Sequence, residues 1–211
     1  FWLADDDLPR ARAELAYVQQ RFPEDSLGAP RLWIFVGNML IDFYSGDPAA
    51  PWGRVDREYY DIERSVLWNS QWSQVMLGYI RAAAALVRLA SDHGVSERAG
   101  LVRLVEHEAS RLALETAPWA RPLGELIGAG LAAAQGHRER ALAGLRAAEP
   151  GLRAADMATF AAAARRRLGE LTGGERGAEL IAAADAALGE QGVRRPDKMA
   201  RALAPGFQDR S

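Results

Sequence analysis

The stretch from Pro118 to Pro150, PWARPLGELIGAGLAAAQGHRERALAGLRAAEP, constrains the fold of this chain more than any other. Leu123, Leu126, Ile127 and Leu131 fall at helical spacing before Gln135-Gly136, and Ala141, Leu142, Leu145 and Ala148 do so after it. Two helices joined by so short a turn run antiparallel, and neither can bury its apolar stripe alone. Gly128, Ala129, Ala132, Ala141 and Ala148 stand where the two are expected to touch, and small residues there permit close backbone approach.

The same punctuation recurs. Gly173 lies 37 residues beyond Gly136, and Ala178 follows Gly173 at the spacing by which Ala141 follows Gly136. A Gly turn with a small residue five positions on is the grammar of a tetratricopeptide-like repeat. Ser91-Asp92-His93-Gly94 and Ser45-Gly46-Asp47 break two earlier pairs of runs at looser spacing, and Ala4-Asp5-Asp6-Asp7 has the same character near the start. The expectation is an all-α fold, a tetratricopeptide-like α-solenoid of antiparallel helix pairs with a short C-terminal capping helix. It is one helical-repeat domain over 1–211, with degenerate repeats at about 1–22, 30–64, 66–114, 118–150 and 153–190 and the cap at 194–205.

Taken in order, Asp7 is placed to cap a helix to about Arg21, with Leu8, Leu15, Val18 and Phe22 on one face. After a loop from Pro23 to Pro30 comes an apolar helix, Arg31 to Tyr44. Pro48 and Pro51 start the next, which runs to about Arg64. The run from Val66 to Leu89 carries Trp68, Trp72, Val75, Tyr79 and Leu86, and Ser96 opens the helix that follows. Pro150-Gly151 separates the central pair from a helix at about Ala155 to Leu171, with Arg165-Arg166-Arg167 turned largely outward. Glu175 to Glu190 partners that helix, and Arg195-Pro196-Asp197 starts the cap. Met199, Leu203 and Phe207 are expected to fold back over Ile181, Ala184 and Leu188, because an uncapped repeat leaves an apolar face in water. Phe1-Trp2-Leu3 reads as the last turn of a helix that begins upstream, in a longer protein of which this is the C-terminal part.

A 49% hydrophobic composition rich in Ala and Leu excludes disorder, and a formal charge of −2 gives no general attraction to nucleic acid or an anionic membrane. No apolar run reaches the ~20 residues of a membrane span, since Arg81 and Arg88 interrupt the longest candidate. The absence of cysteine removes disulfides and thiolate metal sites and fits a cytoplasmic protein.

Motifs that resemble chemistry fail on context. Gly128-Ala129-Gly130-Leu131-Ala132-Ala133 matches a dinucleotide fingerprint in letters, yet it lies inside a helical pattern with no strand before it. His137-Arg138-Glu139 lacks the catalytic Asp and downstream Asn of a kinase loop. His93, His107 and His137 are dispersed, and no two share metal-ligand spacing. Asp56, Glu58, Asp61 and Glu63 read as a solvated acidic face beside Arg54, Arg57 and Arg64. Arg165 to Arg167 is a basic cluster for which a solvated face outweighs a phosphate or acidic-peptide site. No catalytic residue, cofactor site or metal site is assigned.

Ala117-Pro118-Trp119-Ala120, Gln135-Gly136-His137-Arg138, Ala155-Asp156-Met157-Ala158, Ala161 to Gly169, Gly173-Gly174, Ala183-Ala184-Asp185, Gln191-Gly192-Val193-Arg194 and Leu203-Ala204-Pro205-Gly206-Phe207 together resemble one known family. It is the C-terminal tetratricopeptide-like region of large bacterial eukaryotic-like serine/threonine protein kinases. The match covers about Pro118 to Phe207; the first half shares only the helical pattern and the Gly46-Asp47 turn. The resemblance implies a kinase domain upstream and a repeat region that senses or recruits partners.

The functional expectation is a non-catalytic protein-protein interaction or sensory scaffold. Its concave face, formed by the first helix of each pair, takes a peptide, a protein segment or a sister domain, with Asn38, Asp42, Gln71, Gln74 and Arg121 as candidate binding residues. One alternative is a small-ligand receptor with Trp33, Tyr44, Trp52, Tyr59, Tyr60, Trp68 and Trp72 around an aromatic cavity; another is the sensor region of an ATPase-type transcriptional regulator. Neither nucleic acid nor membrane is expected as a partner.

Overall fold

A computed structural model describes residues 2–22, 29–64, 70–91 and 97–207. Among the described residues the chain is all-α and has no strand. The helices are α1 (Leu8–Arg21), α2 (Ala29–Ser45), α3 (Ala50–Arg54), α4 (Tyr60–Glu63), α5 (Gln71–Ser91), α6 (Arg98–Leu114), α7 (Ala120–Ala134), α8 (Arg138–Ala154), α9 (Ala158–Thr172), α10 (Gly174–Glu190) and α11 (Pro196–Leu203). A π-helical turn, Val55–Tyr59, joins α3 to α4 into one continuous segment. The expected starts at Val66 and Ser96, the turn at Asp92-His93-Gly94, Phe1 and Trp68 lie outside the described residues.

Consecutive helices pack against each other from α5 through α10, and close contacts at glycines give their register. A Cβ on Gly144 would lie 2.9 Å from the Ala129 side chain, and one on Gly151 would lie 2.6 Å from Pro122. The late part of α8 therefore meets the early part of α7. Gly169 and Gly177 bring α9 and α10 backbone to backbone, where a Cβ on Gly169 would lie 2.7 Å from the Gly177 carbonyl oxygen. Gly169→Ala is thus expected to destabilise the fold by about 1–3 kcal/mol through overpacking, even though Ala is the better helix former. Gly128 has nothing within 4 Å of its virtual Cβ, so Gly128→Ala is expected to stabilise by about 0.5–1 kcal/mol. Chemical denaturation of the two variants reads these opposite signs.

Three sequence expectations change here. Gly128 is not a contact residue; Gly124, Gly130 and Gly144 are. Ala178 is exposed, because α10 begins at Gly174 and turns Gly177 toward its partner instead. Pro150-Gly151 does not end a helix. α8 runs through it to Ala154, since Pro150 sits on the exposed face, where water can take the carbonyl its missing N–H releases.

The real break is the Asp156 turn, and it repeats a motif. At Gly136 the backbone has φ 77°, the Gly136 N–H donates to Ala133 O, and the His137 N–H donates to Ala132 O. This paired bonding closes a helix C-terminus around one left-handed residue. Asp156 (φ 59°) and Gly192 (φ 80°) carry the same two bonds, and so does Asp6 (φ 59°), with Asp7 N–H on Trp2 O.

Directly after the Asp6 turn, at the N-terminus of α1, the Asp7 carboxylate accepts from the Arg10 N–H at 3.0 Å, as a helix cap should. That helix buries only Ala11 fully, while Val18 and Phe22 of its expected apolar face are exposed. From α2 to α9, and on into α11 and the tail, one main core is continuous; Phe35, Met39, Tyr59, Leu77, Leu86, Leu112 and Leu123 are among its fully buried side chains.

α11 does more than cover the last pair. Met199 touches the cluster containing Leu188, as expected, and Ala184 is buried, but Ile181 stays only half-buried. The helix packs chiefly on α9 and also on α2, joining the C-terminal end to the N-terminal half. The Asp6 turn clasps it there. Arg194 N–H donates to Ala4 O at 2.8 Å, Arg194 pairs with Asp5 at 3.2 Å, and Lys198 reaches Asp6 at 2.7 Å, where the Tyr44 hydroxyl also donates at 3.0 Å.

The Lys198 hydrogen bond holds the Asp6 carboxyl below its usual range, and Arg195 draws Asp197 down to about 2. For carboxyls whose folded pKa is depressed, the linked stability is present above the unfolded value near 4 and lost as pH falls through the folded value. The melting temperature is expected to fall between pH 4 and pH 2, with a shallower fall in Asp6→Asn; melting curves across that range check it.

Candidate functional site

Past α11 the chain crosses the face shared by α5, α7 and α9, the first helices of three successive pairs. Leu203, Ala204, Pro205, Gly206 and Phe207 are all buried. Two side chains hold the main chain of this segment: the Tyr79 hydroxyl donates to Leu203 O at 2.7 Å, and Arg167 Nε donates to Ala204 O at 3.1 Å. Both bonds are buried, and burial pushes the Tyr79 hydroxyl well above the usual tyrosine range, so it remains a donor at neutral pH.

The next two residues lie on α7. Gly130 and Gly206 face each other so closely that a Cβ on Gly130 would run into Pro205 O. A Cβ on Gly206 would lie 2.7 Å from Gly130 O. Gly206 also has φ 94°, a conformation that side chains rarely adopt. Phe207 then places its ring 5.5 Å from the Arg167 guanidinium.

The segment leaves space beside it. A cavity of about 380 Å³ is bounded by Pro205, Gly206 and Phe207 on one side and by Asp42, Phe43, Pro51 and Val87 on the other, with Arg167 and Arg201 at its wall. Gly46, at φ 78°, forms part of the rim, where a side chain would meet the Arg201 guanidinium.

Of the five expected binding residues, Asp42 alone lines this cavity. It is buried and held by Arg54 Nε at 2.6 Å. Asn38, four residues earlier on α2, has its Nδ2 buried without a hydrogen-bond partner among the described residues. Gln71 and Gln74 sit at the start of α5 in a different network. Gln71 donates to Thr116 Oγ1 at 2.7 Å, and the Gln74 carbonyl accepts from Arg111 at 2.8 Å. Arg121 is exposed at the start of α7 and pairs with Glu125 at 3.5 Å.

The described aromatics of the expected cavity stand in several different settings. Trp33 is 56% exposed and stacks on Trp72 with centroids 4.7 Å apart, Tyr44 is tied to Asp6, and Tyr59 is fully buried in the core. None of them lines the space beside the tail.

The arginine triplet divides. Arg165 pairs with Glu149 at 2.6 Å and Arg166 with Asp185 at 2.8 Å and with Glu170, whereas Arg167 is only 1% exposed and bridges Glu170 and the tail carbonyl. The expected outward face is right for none of it in full. Successive residues on a helix are turned by about 100°, which carries Arg167 round from the outer side of α9 to the side that meets the tail. Another buried charge, Glu108, is flanked by Arg111 at 2.9 Å and Arg81 at 3.6 Å. Glu108 falls at i+3 and i+7 from Val105 and Leu101 on the apolar stripe of α6, the signal that marks it.

Among the described residues no group of three or more His, Asp or Glu side chains is placed to hold a metal, and no helix is long and apolar enough to cross a membrane. No family model, no curated protein and no solved structure matches the chain.

Proposed function

We propose that this chain is a non-catalytic helical scaffold that binds segments of other proteins, built as a tetratricopeptide-like array of helix pairs. One observation carries the reading: the first helices of successive pairs share a face that already grips the end of α11 and the tail after it by two main-chain carbonyls. Side-chain donors aimed at main-chain acceptors are how a helical groove takes a peptide whatever its sequence. The recurrent helix-ending turn and the Gly-mediated close packing of consecutive helices support the repeat architecture.

Within this proposal the chain is the C-terminal repeat region of a bacterial serine/threonine protein kinase. Reading the coding sequence upstream of Phe1 tests that part. A Gly-rich loop, a strand lysine and a His-Arg-Asp motif support the kinase parent, and a P-loop with a helix-turn-helix supports the regulator instead.

The binding role is tested by affinity capture on the immobilised chain followed by cross-linking mass spectrometry. Cross-links from a co-purifying protein to α2, α5, α7, α9 or the tail are expected. A partner whose cross-links are confined to α6, α8 and α10, or no partner at all, overturns the reading.

A further inference from the structure

We propose that the face of α5, α7 and α9 is a receptor for a bent segment of the pattern small residue, any residue, Gly, aromatic. The chain's own Ala204–Phe207 is its resident occupant, and a partner protein's segment of the same pattern takes that place. The proposal rests on the scaffold reading above and names the partner's chemistry.

The Gly and aromatic positions each have a physical cause, and the small one is Ala204, which is fully buried. Tyr79 and Arg167 engage two consecutive carbonyls, those of Leu203 and Ala204, which fixes the register of the segment without reading side chains. Two positions on from the small residue the main chain crosses α7 at Gly130. There a Cβ on the segment would lie 2.7 Å from a backbone oxygen that cannot move aside, and the backbone is left-handed, so glycine is demanded. The following residue meets the Arg167 guanidinium, whose attraction for a ring face selects an aromatic.

The groove is also wider than its occupant. About 380 Å³ of solvent-open groove runs along Pro205, Gly206 and Phe207. A segment with bulkier flanking residues fills that space against Phe43 and Val87, which gives it an advantage over the resident tail.

The incoming segment is not the tail of a second copy. α11 runs straight into the tail through the Ala204 N–H to Ala200 O bond at 2.8 Å, and α11 is itself clasped to the Asp6 turn. The tail has no slack to reach another molecule without unwinding that helix. The same tether gives the resident tail a high effective concentration, of millimolar order, so a free peptide is expected to compete poorly until the resident is weakened.

The test uses the full-length chain and a fluorescein-labelled peptide, ALAPGFQDRS, read by anisotropy. Phe207→Ala is expected to bind the peptide at least tenfold more tightly than the unaltered chain, and a peptide carrying Gly206→Ala is expected to lose at least tenfold. If Phe207→Ala loses helical content by circular dichroism, full-length Gly206→Ala, which ejects the tail by backbone collision, takes its place with the same expectation. Equal binding by both chains, or indifference to the glycine, overturns the proposal. Loss of helical content in both variants overturns it too, by making the tail part of the core. Dimers that exchange tails, seen by native mass spectrometry, overturn the assignment to a partner. Failure here with the cross-links to α5, α7 and α9 intact leaves the scaffold reading standing.

Discussion

Truncation before Arg195 is expected to lower the melting temperature by about 10–20 °C and to make the chain self-associate. Leu203 and Phe207 are buried against the main core, and burying each is worth about 1.5–3 kcal/mol. Their loss also leaves the Tyr79 hydroxyl and the Arg167 guanidinium without the carbonyls they donate to, at about 1–3 kcal/mol for each group. A total near 5 kcal/mol or more is a large part of a typical stability of about 5–15 kcal/mol. At about 2–4 °C per kcal/mol for a domain of this size it gives the stated shift. The uncovered apolar face explains the association, which light scattering after size exclusion measures. A truncated chain that melts unchanged as a monomer would mean that α11 and the tail add nothing to the fold.

Arg167→Ala is expected to cost about 3–5 kcal/mol, the range for breaking a buried ion pair while opening a cavity. Arg167 is buried between Glu170, at 2.7 Å, and the Ala204 carbonyl. Arg167→Met keeps most of the volume and is expected to cost clearly less, because replacing a buried charge by a packed apolar side chain removes its desolvation cost as well. Arg165→Ala, two residues away, removes a partly exposed pair with Glu149 and is expected to cost under about 1 kcal/mol. Urea denaturation of the three variants checks the order. Equal effects at Arg165 and Arg167 would contradict the inward placement of Arg167.

Much of the fold was legible because it depends on local chemistry. Gly136 and Gly192 announce left-handed helix ends by being glycine, and the apolar stripes of α7 and α8 fix which faces meet. Asp156 was harder. An aspartate tolerates the same conformation but is common elsewhere, so Pro150-Gly151 drew the boundary six residues early. Contact glycines could not be told from idle ones, since Gly128 and Gly130 differ only in which way a single helix turns them.

The candidate site was less legible for a different reason. Tyr79, Gly130 and Arg167 come from three helices and meet at a tail that had been assigned to the last pair alone, and no periodicity links residues so distant in the chain. Asp42, named as one of five residues of a concave face, is the one of them that lines the space beside the tail. Gln71, Gln74 and Arg121 were named from helix phase, and they lie at the helix starts, away from the tail.

Hydrogen exchange on the unaltered full-length chain, read by mass spectrometry over residues 203–211 with and without saturating ALAPGFQDRS peptide, tests most directly whether the tail is a seated but replaceable occupant. In the free chain the Gly206 and Phe207 amides are expected to exchange slowly, because both residues are buried against α5, α7 and α9. With the peptide held well above the tail's own effective concentration of millimolar order, they are expected to exchange at the rate of an open chain, while the amides of α5, α7 and α9 keep their protection. Tail amides that exchange at once without peptide, or that stay protected at saturating peptide, would contradict it.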